Sequence, residues 1–317
     1  MQVFRNLEHY TANEKNRLVL TTGMFDGVHL GHQQIIRQVL KTAQQHQAKS
    51  AVLSFINHPR LTLKPTDETD NDALKLLTSL DEKIKHLQNL NIDYLFLFDF
   101  NEEFLSQTAQ EFLNELLIKK IGLKHIIVGY DHRFGKNRQG DINFLKQESL
   151  QTNRFTVQEI DPKQIAELTV SSTKIRKAIK NGDIVLANTL LAYPYQLSGT
   201  VVEGNQIGRT LGYPTANIKL DEPLKLLPQN GIYAANILID NDLHKGMLYI
   251  GKRPTLNGET TSIEINIFDF EQDIYQKNVQ LQIIQQTRKD MKFENLEALT
   301  QQMHVDKKEV LAIFEKR

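Results

Sequence analysis

Residues 18–32 read LVLTTGMFDGVHLGH. The apolar run over 18–22 predicts a buried strand that stops at Gly23. Beyond His32, the residues Ile35, Ile36, Val39, Leu40 and Ala43 recur every three or four positions, as on one face of a helix. Strand, glycine-punctuated turn and amphipathic helix together describe a phosphate site. Gly23, Gly27 and Gly31 let the backbone approach a ligand closely, and free amides at the start of the helix favour an anion. His29 and His32 are three apart, so at a helix entrance both imidazoles can reach the same phosphate. The spacing fits neither a dinucleotide fingerprint nor a Walker loop.

Working outward, further strands are expected over 51–55, 93–98, 125–129 and 155–160, with helical patterns between them. Alternation of this kind argues a doubly wound parallel sheet. Ligands bind such sheets at the carboxyl ends of the strands, where the turn after Leu20 and the segment after Val128 would converge. One helix from Ser172 should stop near Asn181 and Gly182, and a short one over 183–191 leads to a boundary. Past Tyr193 and Pro194 the texture changes to β-rich runs over 196–203, 231–239, 244–250, 262–270 and 279–285. No crossover helices separate them, so an antiparallel barrel or sandwich is expected, closed by a helix from Asn295 onward. The fold class is therefore α/β plus β, with domains 1–184 and 185–317.

The 317 residues suit two domains. Lysine plus arginine and aspartate plus glutamate both number 38, so no global field gathers nucleic acid or anionic lipid. Cysteine is absent, which excludes disulfides and thiolate chemistry and agrees with a reducing cytoplasm. No signal peptide and no run of membrane-spanning length is expected. Assembly with further copies of the chain stays open.

The first half carries SFINHP at 54–59, VGYDHRFGKNRQG at 128–140 and VSSTKIRKAI at 170–179. Ser172 and Thr173 offer hydroxyls at a helix start and Arg176 adds charge, a set able to hold a triphosphate; a simple helix cap is the competing reading. Nucleotidyl transfer gathers charge on phosphoryl oxygens, so positioning and electrostatics supply most of the catalysis. The second half carries GNQIGRTLGYPTANI at 204–218. Gly204 and Gly208 stand too close for a Walker loop, and Arg209 replaces its lysine. Thr215 and Asn217 are two apart on an extended segment and so face one side, where hydroxyl and amide oxygens suit Mg²⁺. Glu264, in SIEINIFDF, could accept the proton of an attacking alcohol, or could be a solvated strand residue.

The HxGH pattern resembles that of the nucleotidylyltransferase superfamily. With 54–59, 128–135 and 171–176, residues 25–33 resemble FDGVHxGHQ, TFxPHP, VGxDFRFG and SSTxIR of the adenylyltransferase module in bacterial bifunctional riboflavin kinase/FAD synthetases. In the second half, 208–218, 227–233, 250–255, Glu264 and 288–293 resemble GRxLGxPTANI, LPxxGVY, IGxRPT, the Glu of VExH and RxExKF of the riboflavin kinase module. The resemblance implies that Gly23, Phe25, Asp26, Gly27, His29, His32, His58, Ser172, Thr173 and Arg176 meet ATP and its phosphates, with His29, His32 and Arg176 catalytic. Gly129, Asp131 and Arg133 fall at the nucleotide or flavin side. In the kinase, Gly208, Arg209, Gly212, Pro214, Thr215 and Asn217 bind ATP, the last pair Mg²⁺ as well. Glu264 deprotonates the 5′-hydroxyl of riboflavin, and Arg288 and Phe293 meet the flavin. Departures from the family pattern stand at Asn57, His132, Tyr249, Asn266 and Asp290.

The expected activity is phosphorylation of riboflavin to FMN and adenylylation of FMN to FAD with release of pyrophosphate, both from ATP. Rival readings are a single active half, a different phosphorylated acceptor such as phosphopantetheine or nicotinamide mononucleotide, and a binding regulator without turnover. A nucleic-acid-binding barrel is disfavoured by the neutral charge and the lack of a basic, aromatic strand face.

Overall fold

A computed structural model describes residues 1–11, 17–58, 74–129, 132–160, 170–204, 207–255 and 258–316. Asp131 lies outside the described residues. The chain divides into two compact units, Met1–Leu74 with Leu80–Ser171, and Lys75–Ser79 with Ser172–Arg317.

The first unit is built on six strands, β1 (Gln2–Phe4), β2 (Leu18–Thr22), β3 (Lys49–Phe55), β4 (Tyr94–Phe98), β5 (Leu123–Val128) and β6 (Thr156–Glu159). All pair in parallel, in the order β1-β4-β3-β2-β5-β6. Five of these match the expected runs within a few residues; β1 is a three-residue edge strand, too short to show a period. Every residue of β2 is buried. Its period-two alternation sends Leu18 and Leu20 into one layer with Leu117 and Ile126, and Val19 into the other with Val39 and Ala43 of helix α1 (Leu30–Gln45). From β2 the chain steps outward through β3 and β4 on one side and later through β5 and β6 on the other. The order reverses between β2 and β5, which marks the crevice where open α/β sheets bind ligands. Helices α2 (Leu80–Asn89) and α3 (Ile142–Thr152) belong to the same unit.

The second unit holds a closed antiparallel barrel, so of the two expected β architectures the barrel is the one observed. Its strands are β7 (Tyr195–Val202), β8 (Ala216–Leu220), β9 (Gly231–Ile239), β10 (Asp242–Thr255), β11 (Gly258–Ile267) and β12 (Asn278–Lys289), in the order β10-β11-β8-β7-β12-β9. Alternate residues of β7 are buried, as a barrel wall requires. β8 is short and polar, ANIKL, which explains why pattern alone left it out of the strand list.

Helices α4 (Ser172–Lys180) and α5 (Ile184–Leu191) pack in the second unit, so the expected boundary at 184/185 falls inside it. The reason is local. Asn188 Nδ2 donates to Ile283 O of β12 at 2.9 Å, and Gln229 N donates to Ile179 O at 3.3 Å. Gly182 takes a left-handed turn, φ 79°, with the Gln286 side chain where a Cβ would stand. Residues 75–79 join the same unit: Leu76 N donates to Leu224 O and Leu226 N to Leu76 O, both at 2.8 Å, and the buried Lys225 Nζ donates to Leu77 O at 2.6 Å. Asn295 caps the final helix α6 (Leu296–Glu315), accepting from Ala298 N at 2.8 Å. Val310 of α6 packs with Ile232, Met247 and Phe268 of the barrel unit.

Two candidate nucleotide sites

In the first unit the turn after β2 is held in an uncommon conformation. Phe25 (φ 51°), Gly27 (φ 84°) and Val28 (φ 34°) are all left-handed. A β-branched residue at positive φ is a genuine outlier, costing roughly 1–3 kcal/mol, and such strain clusters at ligand sites. Burial offsets it: Phe25 and Val28 are nearly inaccessible and pack with Ile36 of α1. Gln33 Nε2 also donates to Val28 O at 3.0 Å. Asp26 is buried beside them.

His29 caps α1: its Nδ1 accepts from His32 N at 3.4 Å. The two imidazoles stack with centroids 3.7 Å apart and planes at 15°, and Phe25 meets His32 edge-on at 5.1 Å. A Cβ at Gly31 would lie 3.2 Å from Val170 and 3.3 Å from His29, so the spacing depends on glycine. Burial holds the His32 imidazole well below its usual pKa, with His29 and then Lys83 adding repulsion. The ring is therefore neutral near pH 7. Its buried Nδ1 has no hydrogen-bond partner among the described residues.

Sequence reasoning missed Lys83. This buried residue of α2 donates from Nζ to Phe55 O at 2.7 Å, Met24 O at 3.3 Å and Ser54 Oγ at 3.5 Å. Burial pushes its ammonium down to about 8, and Asp26 opposes the shift. A lone lysine on an amphipathic helix gives no signal in sequence.

After β3, Asn57 exchanges hydrogen bonds with the chain beyond β4, Nδ2 to Phe100 O at 3.2 Å and Phe100 N to Oδ1 at 2.7 Å. That pairing gives the departure at Asn57 a structural role and sets the path to His58. Across the crevice, His132 N donates to Gly129 O at 3.2 Å. The His132 ring stacks on Phe134 at 5.6 Å, so it fills an aromatic position. Arg133 pairs with Asp141, the residue that caps α3 through Phe144 N at 2.9 Å. Ser172, Thr173 and Arg176 begin α4, in the other compact unit, where Arg176 Nε donates to Lys75 O at 2.8 Å.

In the barrel unit, Gly208 and Arg209 sit on the short helix Ile207–Thr210, and Tyr213 N returns to Gly208 O at 2.7 Å. Gly212 supplies the left-handed step, φ 80°, that carries the chain to Pro214 and Thr215. Thr215, Asn217 and Glu264 come together. Thr215 Oγ1 donates to Glu264 Oε2 at 3.4 Å, and Asn217 of β8 stands directly opposite Glu264 of β11. Ser262 Oγ donates to Glu264 Oε1 at 2.5 Å. Ser262 was also missed, although it precedes Glu264 by two on one strand and so shares its face. Asn266 donates from Nδ2 to Pro214 O at 2.7 Å, which ties the loop to β11.

Glu264 is 93 % shielded from solvent, 7 % exposed. Hydroxyl, amide and one carboxylate are hard oxygen donors, a set that fits Mg²⁺ carrying its own waters and phosphates. Among the described residues no cluster of three or more His, Cys, Asp or Glu could hold a metal without such help. Beside Thr215 opens a cavity of about 600 Å³ lined by Arg209, Pro214, Ile265, Phe270 and Tyr275 among others. Arg288 lies on β12 with Nε and Nη2 on the fully buried Asp306 of α6, at 2.8 and 2.7 Å, and its guanidinium is 5.7 Å from the Phe293 ring. Tyr249 OH reaches Asp290 Oδ2 at 3.4 Å.

Comparison with known proteins places both units. Residues 11–174 match the family model described as FAD synthetase, and residues 191–314 the one described as riboflavin kinase. Similar curated proteins named bifunctional riboflavin kinase/FMN adenylyltransferase come from Listeria monocytogenes (35 % identical over 94 % of this chain and 93 % of the relative) and Haemophilus influenzae (34 % over 99 % of each). The Bacillus subtilis relative of the same name is 33 % identical over 96 % and 95 %. A solved Streptococcus pneumoniae structure titled as a macrolide-efflux protein superposes with a TM-score of 0.84 at 32 % identity, covering 97 % of each chain. Among the described residues no helix here is long and apolar enough to cross a membrane.

Proposed function

The chain belongs to the bifunctional riboflavin kinase/FMN adenylyltransferase family, and we propose that its two units divide the chemistry between the residues assembled above. ATP phosphorylates riboflavin to FMN, and a second ATP adenylylates FMN to FAD with release of pyrophosphate. Residues 185–317 carry the first reaction and 1–184 the second, a division of chemistry set beside the packing division at Ser171 and Ser172.

In the kinase, Glu264 accepts the proton of the riboflavin 5′-hydroxyl as that oxygen bonds to the γ-phosphorus and the bond to ADP breaks. Ser262 and Thr215 hold the carboxylate in place through its two oxygens. Thr215 and Asn217 would hold Mg²⁺, which neutralises charge on the phosphates when bound. Arg209, Gly208, Gly212 and Pro214 shape the phosphate loop, and the adjoining cavity, apolar at Ile265, Phe270 and Tyr275, suits a nucleobase. Arg288 and Phe293 form the flavin end.

In the adenylyltransferase, a phosphate oxygen of FMN attacks the α-phosphorus of ATP and pyrophosphate leaves, with no covalent enzyme intermediate. The turn at Gly23, Phe25, Asp26 and Gly27 presents His29 and His32 to the triphosphate, with His58 after β3; Ser172, Thr173 and Arg176 are assigned to triphosphate binding by their resemblance to the family pattern alone. Gly129, Asp131 and Arg133 serve the nucleotide and flavin side. Dependence on ATP fits a cytoplasmic enzyme. The observation that carries the reading is the position of the strained His29/His32 turn at the strand-order reversal, with a separate Thr215–Glu264 site in the barrel unit. Chromatography of riboflavin incubated with the protein, ATP and Mg²⁺ tests it: FMN and then FAD should accumulate, and formation of neither would overturn it.

A further inference from the structure

Two neighbouring turns, one after β2 and one after β3, lie on one side of the adenylyl-transfer crevice. Direct bonds join them: Gly23 N donates to Leu53 O at 3.1 Å, and Ser54 Oγ to Met24 O at 3.2 Å. Between them sits the ammonium of Lys83, which enters from α2 and touches both, Met24 O on one side and Phe55 O on the other. Met24 immediately precedes the left-handed run at Phe25, Gly27 and Val28 that sets His29 and His32. Three carbonyl or hydroxyl oxygens converge on one buried cation, an expensive arrangement to keep unless it fixes geometry.

We infer that Lys83 is a positioning residue for FMN adenylylation: it pins the turn bearing His29 and His32 to the end of β3, so that both rings meet the triphosphate in register. The contacts of Lys83 are to the protein oxygens Met24 O, Ser54 Oγ and Phe55 O, so its part is to hold the turn. The inference rests on the adenylyltransferase reading given above. A misplacement of about 1 Å at a reacting centre costs on the order of a hundredfold in rate, so loosening the turn should be visible in kcat more than in KM.

The test compares wild type with Lys83→Met, which keeps the length of the side chain and removes the donor, and with Lys83→Arg, which keeps a cation. Riboflavin phosphorylation in the same molecules is the internal control. Expected is a fall on the order of a hundredfold in kcat for FMN-to-FAD conversion in Lys83→Met, unchanged FMN formation, and partial rescue in Lys83→Arg. A folded Lys83→Met with wild-type FAD synthesis would overturn the inference while leaving the adenylyltransferase reading intact; a wild type that makes no FAD sinks the reading itself.

If Lys83→Met loses its native circular-dichroism spectrum, the wild-type pH profile decides. Among the described residues, Asp26 and His32 are charged or titratable groups that interact with Lys83, and His29 stacks on His32 behind them. Adenylylation should weaken as pH rises through about 8 while His32 is already neutral. A flat profile from 7 to 9.5 overturns the inference.

Discussion

Thr215 Oγ1 donates a 3.4 Å hydrogen bond to Glu264 Oε2, joining a loop hydroxyl to a strand carboxylate 49 residues later in the chain. The contact places a base and a metal-compatible oxygen side by side. Removing the base should leave the remaining phosphate contacts in place. Glu264→Gln is therefore expected to lower riboflavin phosphorylation roughly a hundred- to ten-thousandfold, with FMN adenylylation unaffected. Separate assays started from riboflavin and from FMN check this, and loss of both rates in folded protein would mean the sites are not independent.

His32→Ala should give the converse. Loss of one preorganised group on phosphoryl charge costs roughly a hundred- to a thousandfold, so FAD formation should fall by that factor while FMN formation persists. The same change removes a half-buried, neutral imidazole whose Nδ1 is buried. Its folded pKa lies below the unfolded value of 6.5, so the unfolded chain takes up more protons as pH drops through 6.5, and the folded state loses stability there. His32→Ala should therefore show a shallower loss of melting temperature between pH 7 and 5 than wild type.

Lys83 gives the alkaline counterpart. Its folded pKa is lowered to about 8 from 10.5, so both states are protonated below 8 and the burial penalty is fully felt there. Between about 8 and 10.5 the unfolded chain binds the extra proton and stability rises with pH, by on the order of 3 kcal/mol in all. Denaturation of wild type against Lys83→Met across that window measures it; an unchanged difference between the two would refute the shift.

Gly204 faces Asn217: a Cβ there would stand 2.1 Å from Asn217 Nδ2. Since that atom ends a movable side chain, Gly204→Ala should displace the amide with little loss of stability. The expected effect is roughly a tenfold or larger weakening of Mg²⁺ activation of the kinase, read from the metal dependence of FMN formation. FAD synthesis from FMN is the control.

The half-buried Arg288 pairs with the fully buried Asp306, and Gln302 Nε2 donates to the same carboxylate at 2.9 Å. Asp306→Ala strands a charged guanidinium and should cost about 3–5 kcal/mol in urea denaturation. Replacing both, Arg288→Met with Asp306→Leu, should restore much of that stability. If Arg288 also meets the flavin, KM for riboflavin will stay raised in the double variant even as stability returns.

Much of this was legible because it is periodic. β2 announces itself as an apolar run ahead of glycine, and Thr215 with Asn217 share a face because strands repeat every two residues. β1 and β8 were not legible, since the first is only three residues long, the second is short and polar, and the pairing of both is decided by neighbours remote in the chain. Lys83 and Asp306 were hidden for a related reason. A charged residue reads as solvent-facing until the partner that buries it is known, and those partners lie at Phe55 and Arg288. The division at Ser171 and Ser172 escaped because α4 looks like another crossover helix until Gln229 and Gln286 are seen against it.

Residues 75–79 belong to the barrel unit although the segments on either side of them belong to the sheet unit. The polypeptide consequently passes from one unit to the other three times, and no single scission yields two self-sufficient fragments. A piece ending at residue 184 would keep Leu76 and lose the edge formed by Leu224 and Leu226 that it bonds to. Gene dissection of the two activities will need a replacement for that lost edge.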